Sequence, residues 1–232
     1  MRQPQRRMNP ALKNIFKEEL QKLLDVGFIY PILDSQWVST LVIVPKKNGK
    51  WQICVDYREL NKATQKDHFP LPFINQVFDT LVGKFFSFLN GFSGYNQIQI
   101  APEDQDKTTF MSPWGTFAYQ VLPFGLCNVP KIFQSAILGI LSDLLDDNVE
   151  IYMDNFTPYG DSFEEGFANL EKFLERCKRA HFTLSTTKHH MMMEEGIVLG
   201  HLILAAGIRM DPAKIKVILH FPIPKTPTQV VA

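Results

Sequence analysis

The chain has no excess of charge of either sign: Lys+Arg and Asp+Glu are both 24 among 232 residues. Any polyanionic partner must therefore be met by local basic patches rather than by a global field. Cysteine is scarce. Cys54, Cys127 and Cys177 are odd in number, widely spaced and without a CxxC, which argues against a disulfide framework and for reduced thiols in a reducing compartment. Long apolar runs are missing as well. The most apolar late stretch, 197–208, is too short to span a bilayer and is interrupted by His201, so no membrane partner is expected. No signal peptide, long low-complexity stretch or internal repeat is found. The opening, Met1-Arg2-Gln3-Pro4-Gln5-Arg6-Arg7, is basic and carries no acid before Glu18. It reads as a flexible basic arm ahead of a helix, with an organelle transit peptide as the alternative, and the protein is expected to be intracellular.

What is present is ordinary globular composition, 45% hydrophobic and 21% charged, enough for one large or two small domains. Asn9 and Pro10 are good opening residues for a helix. Leu12, Ile15, Phe16, Leu20, Leu23 and Leu24 then recur at helical spacing until Gly27 stops it. Residues 40–44 and 51–55 read as strands joined by Lys46-Lys47-Asn48-Gly49-Lys50, whose Asn-Gly is a hairpin signal. Three lysines at a tip suit a polyanion such as a triphosphate or a nucleic-acid backbone, although a solvated turn accounts for them too. Residues 74–81 read as a short helix, 85–89 as a buried strand, and 97–100 and 117–121 as alternating strands. Pro130 opens an amphipathic helix with Phe133, Ile137, Ile140, Leu141 and Leu144 inward.

The stretch Ile151-Tyr152-Met153-Asp154-Asn155-Phe156 climbs along an apolar alternation to a polar pair and descends again. It reads as a tight antiparallel hairpin with Asp154-Asn155 at its tip, a placement on rigid backbone that suits a metal-binding carboxylate and equally suits a plain turn. Ser162-Phe163-Glu164-Glu165 is a capping box opening a helix with Phe167, Leu170, Leu174 and Cys177 on one face. Cys177 and His181 with His189-His190 match no closed zinc site. Met191-Met192-Met193 reads as core filler, and residues 198–202 as a strand and turn. Residues from Asp211 begin one more helix. Short, hairpin-connected strands favour an α+β fold with an antiparallel sheet.

Seven motifs in order carry a resemblance that extends from about residue 6 to the end. They are Val44-Pro45-Lys46-Lys47, Val55-Asp56-Tyr57-Arg58-Glu59-Leu60-Asn61-Lys62, Phe69-Pro70-Leu71-Pro72, and Phe88-Leu89-Asn90-Gly91-Phe92-Ser93-Gly94-Tyr95-Asn96-Gln97-Ile98. Leu122-Pro123-Phe124-Gly125-Leu126-Cys127-Asn128, Tyr152-Met153-Asp154-Asn155 and Val198-Leu199-Gly200-His201 complete the set. With these the chain resembles the reverse transcriptase of LTR retrotransposons of the Ty3/gypsy class. The resemblance implies a right-hand polymerase fold, with fingers at 1–65 and 98–127, palm at 66–97 and 128–209, and the start of a truncated thumb at 210–232. It implies template-directed transfer of dNTPs onto a primer held on an RNA or DNA template, and a polyprotein origin beside RNase H and integrase.

The same resemblance assigns roles. Lys46, Lys47, Gln52, Tyr95, Phe124 and Gly125 fall at nucleotide-binding positions, with Tyr95 as a gate against a 2′-hydroxyl. Leu199, Gly200 and His201 fall at the hairpin that positions the primer end. The family's three metal-binding aspartates, which hold two Mg²⁺ ions, fall at Asn90, Asp154 and Asn155. Asp154 alone remains a carboxylate. Gln52 stands where the family has an arginine able to grip a triphosphate bidentately. Hard divalent ions prefer carboxylate oxygens, so metal binding and catalysis are expected to be impaired. The alternative is a non-catalytic nucleic-acid-binding or scaffold subunit. Each departure needs one G-to-A change in the coding strand, as in a silenced element decaying by cytosine deamination.

Overall fold

The chain opens with α1 (Lys13–Asp25), β1 (Ile29–Pro31), β2 (Ser39–Pro45), β3 (Trp51–Asp56) and α2 (Arg58–Ala63). Next come α3 (Ile74–Thr80), β4 (Phe85–Asn90), α4 (Pro102–Gln105), β5 (Phe110–Ser112), β6 (Gly115–Tyr119) and α5 (Val129–Ile140). The last part carries β7 (Val149–Tyr152), β8 (Asn155–Gly160), α6 (Phe163–Arg179), β9 (His190–Met193), β10 (Glu195–Val198), β11 (His201–Leu204), β12 (Gly207–Met210) and α7 (Pro212–Leu219). This computed structural model describes residues 2–4, 12–45, 51–81, 83–145, 148–186 and 189–220. The expected helix opening at Asn9-Pro10 and the lysine-bearing turn at 46–50 lie outside them. Helices and hairpin-connected, mainly antiparallel strands make an α+β fold, as the strand pattern implied.

Two units alternate along the chain: residues 1–71 with 91–140, and residues 72–90 with 141–232. The first holds a five-stranded sheet in the order β1-β6-β5-β2-β3, antiparallel except for β2 on β5. Its core gathers Leu20 of α1 with Ile29, Val55, Tyr57, Phe110, Phe117 and Tyr119. Tyr57 is fully buried and donates its hydroxyl to the Thr108 carbonyl at 2.8 Å, which satisfies the one polar atom that burial would otherwise strand. The helix α1 ends as its sequence implied, at Gly27 with φ 72°.

The start of the chain is tied down where a flexible arm was expected. Gln3 N–H donates to the Val38 carbonyl at 2.9 Å, Gln3 Nε2 to the Asp56 carbonyl at 3.2 Å, and Thr40 Oγ1 to Gln3 Oε1 at 3.0 Å. Arg2 pairs with Asp34 at 2.6 Å. Hydrogen-bonding groups at the start of β2 and the end of β3 hold Arg2 and Gln3 in place of the disorder that the basic composition suggested.

In the second unit the sheet runs β7-β8-β4-β9 and a separate three-stranded sheet runs β10-β11-β12. Phe156 of β8 is buried against Phe173 of α6 (ring centroids 5.3 Å) and Phe182 (5.4 Å). Each such ring contributes about 2–3 kcal/mol by burial. Ser162 Oγ accepts from Glu165 N–H at 3.1 Å, so the expected N-cap forms, while Glu165 returns its carboxylate to Asp161 N–H instead of closing the box on Ser162.

Several expectations are corrected. Residues 97–100 are not a strand: Gly94–Gln97 is a 3₁₀ turn and only Gln99 bridges, to Val121. The alternation still buries Ile98 and Ile100, because an irregular extended segment also points alternate side chains to one side. The helix from Pro130 stops at Ile140, and Leu141 and Leu144 are buried from the turn beyond it. On α6 the buried face is Gly166, Asn169, Leu170, Phe173 and Cys177, whereas Phe167 is half exposed. The three methionines are not core filler: β9 is an edge strand with Met191 and Met193 exposed.

Candidate functional site

Strand β4 ends in Asn90, which is in register with Asn155, the first residue of β8. Tyr152 and Asn155 close the β7–β8 hairpin, so its two-residue turn is Met153-Asp154. The tip is thus one residue earlier than the polar pair suggested. Met153 has φ 55°, the left-handed conformation of the first central residue of a type II′ turn, where glycine is usual. A non-glycine residue there costs of order 1 kcal/mol or more. The strain is borne at the residue that presents Asp154.

Three sequence-predicted residues come together. Asn90 Nδ2 donates to Asn155 Oδ1 at 2.6 Å. Asn155 Nδ2 lies 3.4 Å from Asp154 Oδ1 and 3.4 Å from the Tyr152 carbonyl. Ser185 N–H donates to the Asn90 carbonyl at 2.8 Å. Asn90 and Asn155 border a cavity of about 330 Å³ also lined by Phe88, Thr157, His190 and Val198. One carboxylate and two neutral amides, hydrogen-bonded to each other, offer a divalent cation a single charged ligand. Among the described residues no group of three or more His, Cys, Asp or Glu side chains could hold a metal ion.

One more acid stands on this hairpin. Glu150 of β7 accepts from Thr80 Oγ1 at 2.7 Å, and burial raises its carboxyl above the ordinary carboxylate value. Leu199 and Gly200 form the β10–β11 turn with φ 50° and 77°, the positive pair of a type I′ hairpin. Beyond it, the His201 ring meets Phe78 edge-on at 4.5 Å, and its Nδ1 is buried without a hydrogen-bond partner.

The remaining predicted residues belong to the first unit. Tyr95 lies in the 3₁₀ turn, with its ring 4.9 Å from Phe124 and 5.2 Å from Phe133. Gly125 has φ 102°, which an L side chain rarely adopts. Lys46 and Lys47 lie outside the described residues, as does the side chain of Gln52, whose backbone pairs with Val44.

Two residues here were missed as functional by sequence reasoning. Asn61 Nδ2 donates to the Gly125 carbonyl at 2.7 Å while its Oδ1 accepts from Cys127 N–H at 2.8 Å. Asn128 Nδ2 donates to the Gln65 carbonyl at 2.8 Å and its Oδ1 accepts from Asp67 N–H at 3.1 Å. Together they lace residues 61–67 to the loop that carries Phe124 and Gly125. The only available signal was that both asparagines sit inside recognised motifs; neither alternates nor clusters in a way that marks a clamp.

The family profile described as reverse transcriptase (RNA-dependent DNA polymerase) matches residues 44–203. The chain is 33% identical over 213 residues to the retrovirus-related Pol polyprotein from transposon 412 of Drosophila melanogaster, covering 89% of this chain and 17% of the relative. It is 30% identical over 219 residues to the transposon Tf2-7 polyprotein of Schizosaccharomyces pombe, covering 93% and 16%. It therefore spans under a fifth of the length of these curated relatives. The fold is similar to that of the foamy viral protease-reverse transcriptase dRH in complex with double-stranded DNA, with TM-score 0.91 and 22% identity over 99% of this chain and 40% of that one. The same protein in complex with RNA/DNA hybrid matches with TM-score 0.88, over 99% of this chain and 31% of that one. The chain has a right-hand polymerase fold and belongs to the reverse transcriptase family, in the branch of Ty3/gypsy-class LTR retrotransposons.

Proposed function

We propose that this chain is a reverse transcriptase homologue that keeps the framework for template-primer and dNTP but is catalytically impaired at its own metal site. The observation that carries the reading is the 2.6 Å bond between Asn90 and Asn155, which engages with each other the two amides standing at family carboxylate positions. In the family, divalent metal ions activate the primer hydroxyl and stabilise the leaving polyphosphate. Asp154 is the single anionic ligand left to this chain. If each missing carboxylate costs several kcal/mol of transition-state stabilisation, the rate falls by roughly a hundred- to ten-thousandfold per position. The two losses need not add, because the positions are coupled.

In this reading the second unit carries most of the palm and the start of the thumb, and the first carries the fingers together with palm residues 66–71, 91–97 and 128–140. Tyr95 supplies the gate that excludes a 2′-hydroxyl, and Phe124 and Gly125 shape the nucleotide pocket, held by Asn61 and Asn128. Leu199, Gly200 and His201 position the primer end. Lys46 and Lys47 meet phosphate, and Gln52 lacks the fork of an arginine. Template-primer as partner is drawn from the structural relatives, which are complexes with double-stranded DNA and RNA/DNA hybrid.

Primer extension on an RNA template, in Mg²⁺ and in Mn²⁺, tests this with the native chain beside an Asn90→Asp, Asn155→Asp, Gln52→Arg revertant. Extension by the revertant and not by the native chain is the expected result. Equal extension by both would remove the impairment from the reading. A second reading, a non-catalytic nucleic-acid-binding or scaffold subunit, is favoured by the same amide pair, which needs no ion to satisfy it. It predicts salt-dependent template-primer binding without turnover.

A further inference from the structure

The Asn90–Asn155 bond joins the last residue of β4 to the first of β8, at a register pair on which the strand pairing ends. An amide carries both donor and acceptor, so two amides can satisfy one another. Two carboxylates at the same separation have no proton to share and repel, unless a cation lies between them. One carboxylate and one amide retain a donor, and the bond survives with its direction chosen by the charged partner.

We propose that Asn90 and Asn155 form a cross-strand clasp that closes the β4–β8 end without an ion, so that aspartate at Asn90 alone keeps the clasp, whereas aspartate at both positions breaks it and weakens the fold until a cation is supplied. Asn155 occupies the centre of this arrangement: its Oδ1 accepts from Asn90, while its Nδ2 faces Asp154 Oδ1 and the Tyr152 carbonyl. The clasp therefore also steadies the strained turn at Met153. The two positions become a coupled pair whose joint reversion breaks the clasp and makes stability depend on cations. The inference concerns the folding of the chain and stands apart from template binding and turnover.

The test is thermal unfolding of the full chain and of Asn90→Asp, Asn155→Asp and the double variant, each in chelator and in millimolar Mg²⁺, with no nucleic acid present. The native chain and Asn90→Asp are expected to melt within about 2 °C of one another and to ignore Mg²⁺, while Asn155→Asp, which sets a second carboxylate beside Asp154, is expected to melt lower. The double variant is expected to melt about 5 °C or more lower in chelator and to recover in Mg²⁺. A double variant whose loss equals the sum of the singles and is untouched by Mg²⁺ overturns the proposal. So does a native chain that gains as much from Mg²⁺ as the double variant. If the double aspartate variant does not fold, an alanine cycle at the same positions decides. The clasp requires Asn90→Ala, Asn155→Ala and the double alanine variant to lose nearly the same amount, and additive losses overturn it. Because no polymerase activity is read, failure here leaves the impairment reading intact, and failure of that reading leaves the clasp intact.

Discussion

Two pairs of asparagines, one in each unit, use the same side chain to opposite ends. Asn61 and Asn128 give donor and acceptor to backbone groups of a loop and of the segment beside it, so each amide ties down main chain that has no ladder of its own. Asn90 and Asn155 give theirs to each other. The first pair is scaffolding, and an amide is the right group because it offers both polarities in one plane. By resemblance the second pair stands at positions the family fills with carboxylates, and in the proposed reading an amide there stabilises the metal-free fold while lowering the charge available to cations. Residue type alone does not distinguish the cases; what the amide faces does.

Removing one member from each pair gives the largest contrast. Asn61→Ala strands the Gly125 carbonyl and the Cys127 N–H, and should lower stability by about 2 kcal/mol in urea unfolding. Asn61→Asp keeps the acceptor and should lose about half of that; equal losses would mean that the clamp's two arms do not act separately. Asn155→Ala breaks one short bond to a side chain and two longer contacts at a half-buried strand end, and should cost about 1 kcal/mol. A larger loss than that of Asn61→Ala would reverse the comparison.

Glu150 sharpens it further, because it asks whether the β7–β8 hairpin disfavours carboxylates in general. Burial raises its carboxyl above the ordinary value, while the bond from Thr80 works the other way. The folded state thus holds the proton more tightly than the unfolded one. Its contribution is complete below the ordinary carboxylate range and is lost as pH rises through the raised folded value. Glu150→Gln should match the native chain in acid and melt higher near neutral pH. Equal melting at every pH would remove the burial effect. The smallest effect is one of labelling. Burial pushes the Cys177 thiol up to about 12, so it should resist alkylation in the folded chain. Cys54 and Cys127, both partly exposed, should react before it. Asn61→Ala should quicken Cys127 labelling and leave Cys177 slow; Asn155→Ala should do the reverse.

Much of the fold was legible. The helix ending at Gly27, the strands at 40–44, 51–55 and 85–89, and the helix capped by Ser162 all rest on local signals: periodicity, caps and glycine stops. The failures share a cause. Residues 97–100 alternate as a strand does, but their partners on either side do not extend into a ladder. Met191 and Met193 read as core because of what they are, and are exposed because their strand lies at a sheet edge. The rotated face of α6 depends on where β8 lies. Within the candidate site, motif order located Asn90, Asp154 and Asn155, yet neither the position of the turn nor the clamps of Asn61 and Asn128 was visible.

By itself the sequence determined the family and the α+β class, because these are written in motif order and in residue type. Only the tertiary structure decided that Asn90 and Asn155 face one another at hydrogen-bonding distance, that Met153 bears the strain of the turn, and that Gln3 is bonded to the start of β2. The reason is physical. A periodic pattern reports which face of an element is apolar, whereas a hydrogen bond across strands 65 residues apart depends on register, which is set by the packing of the whole unit.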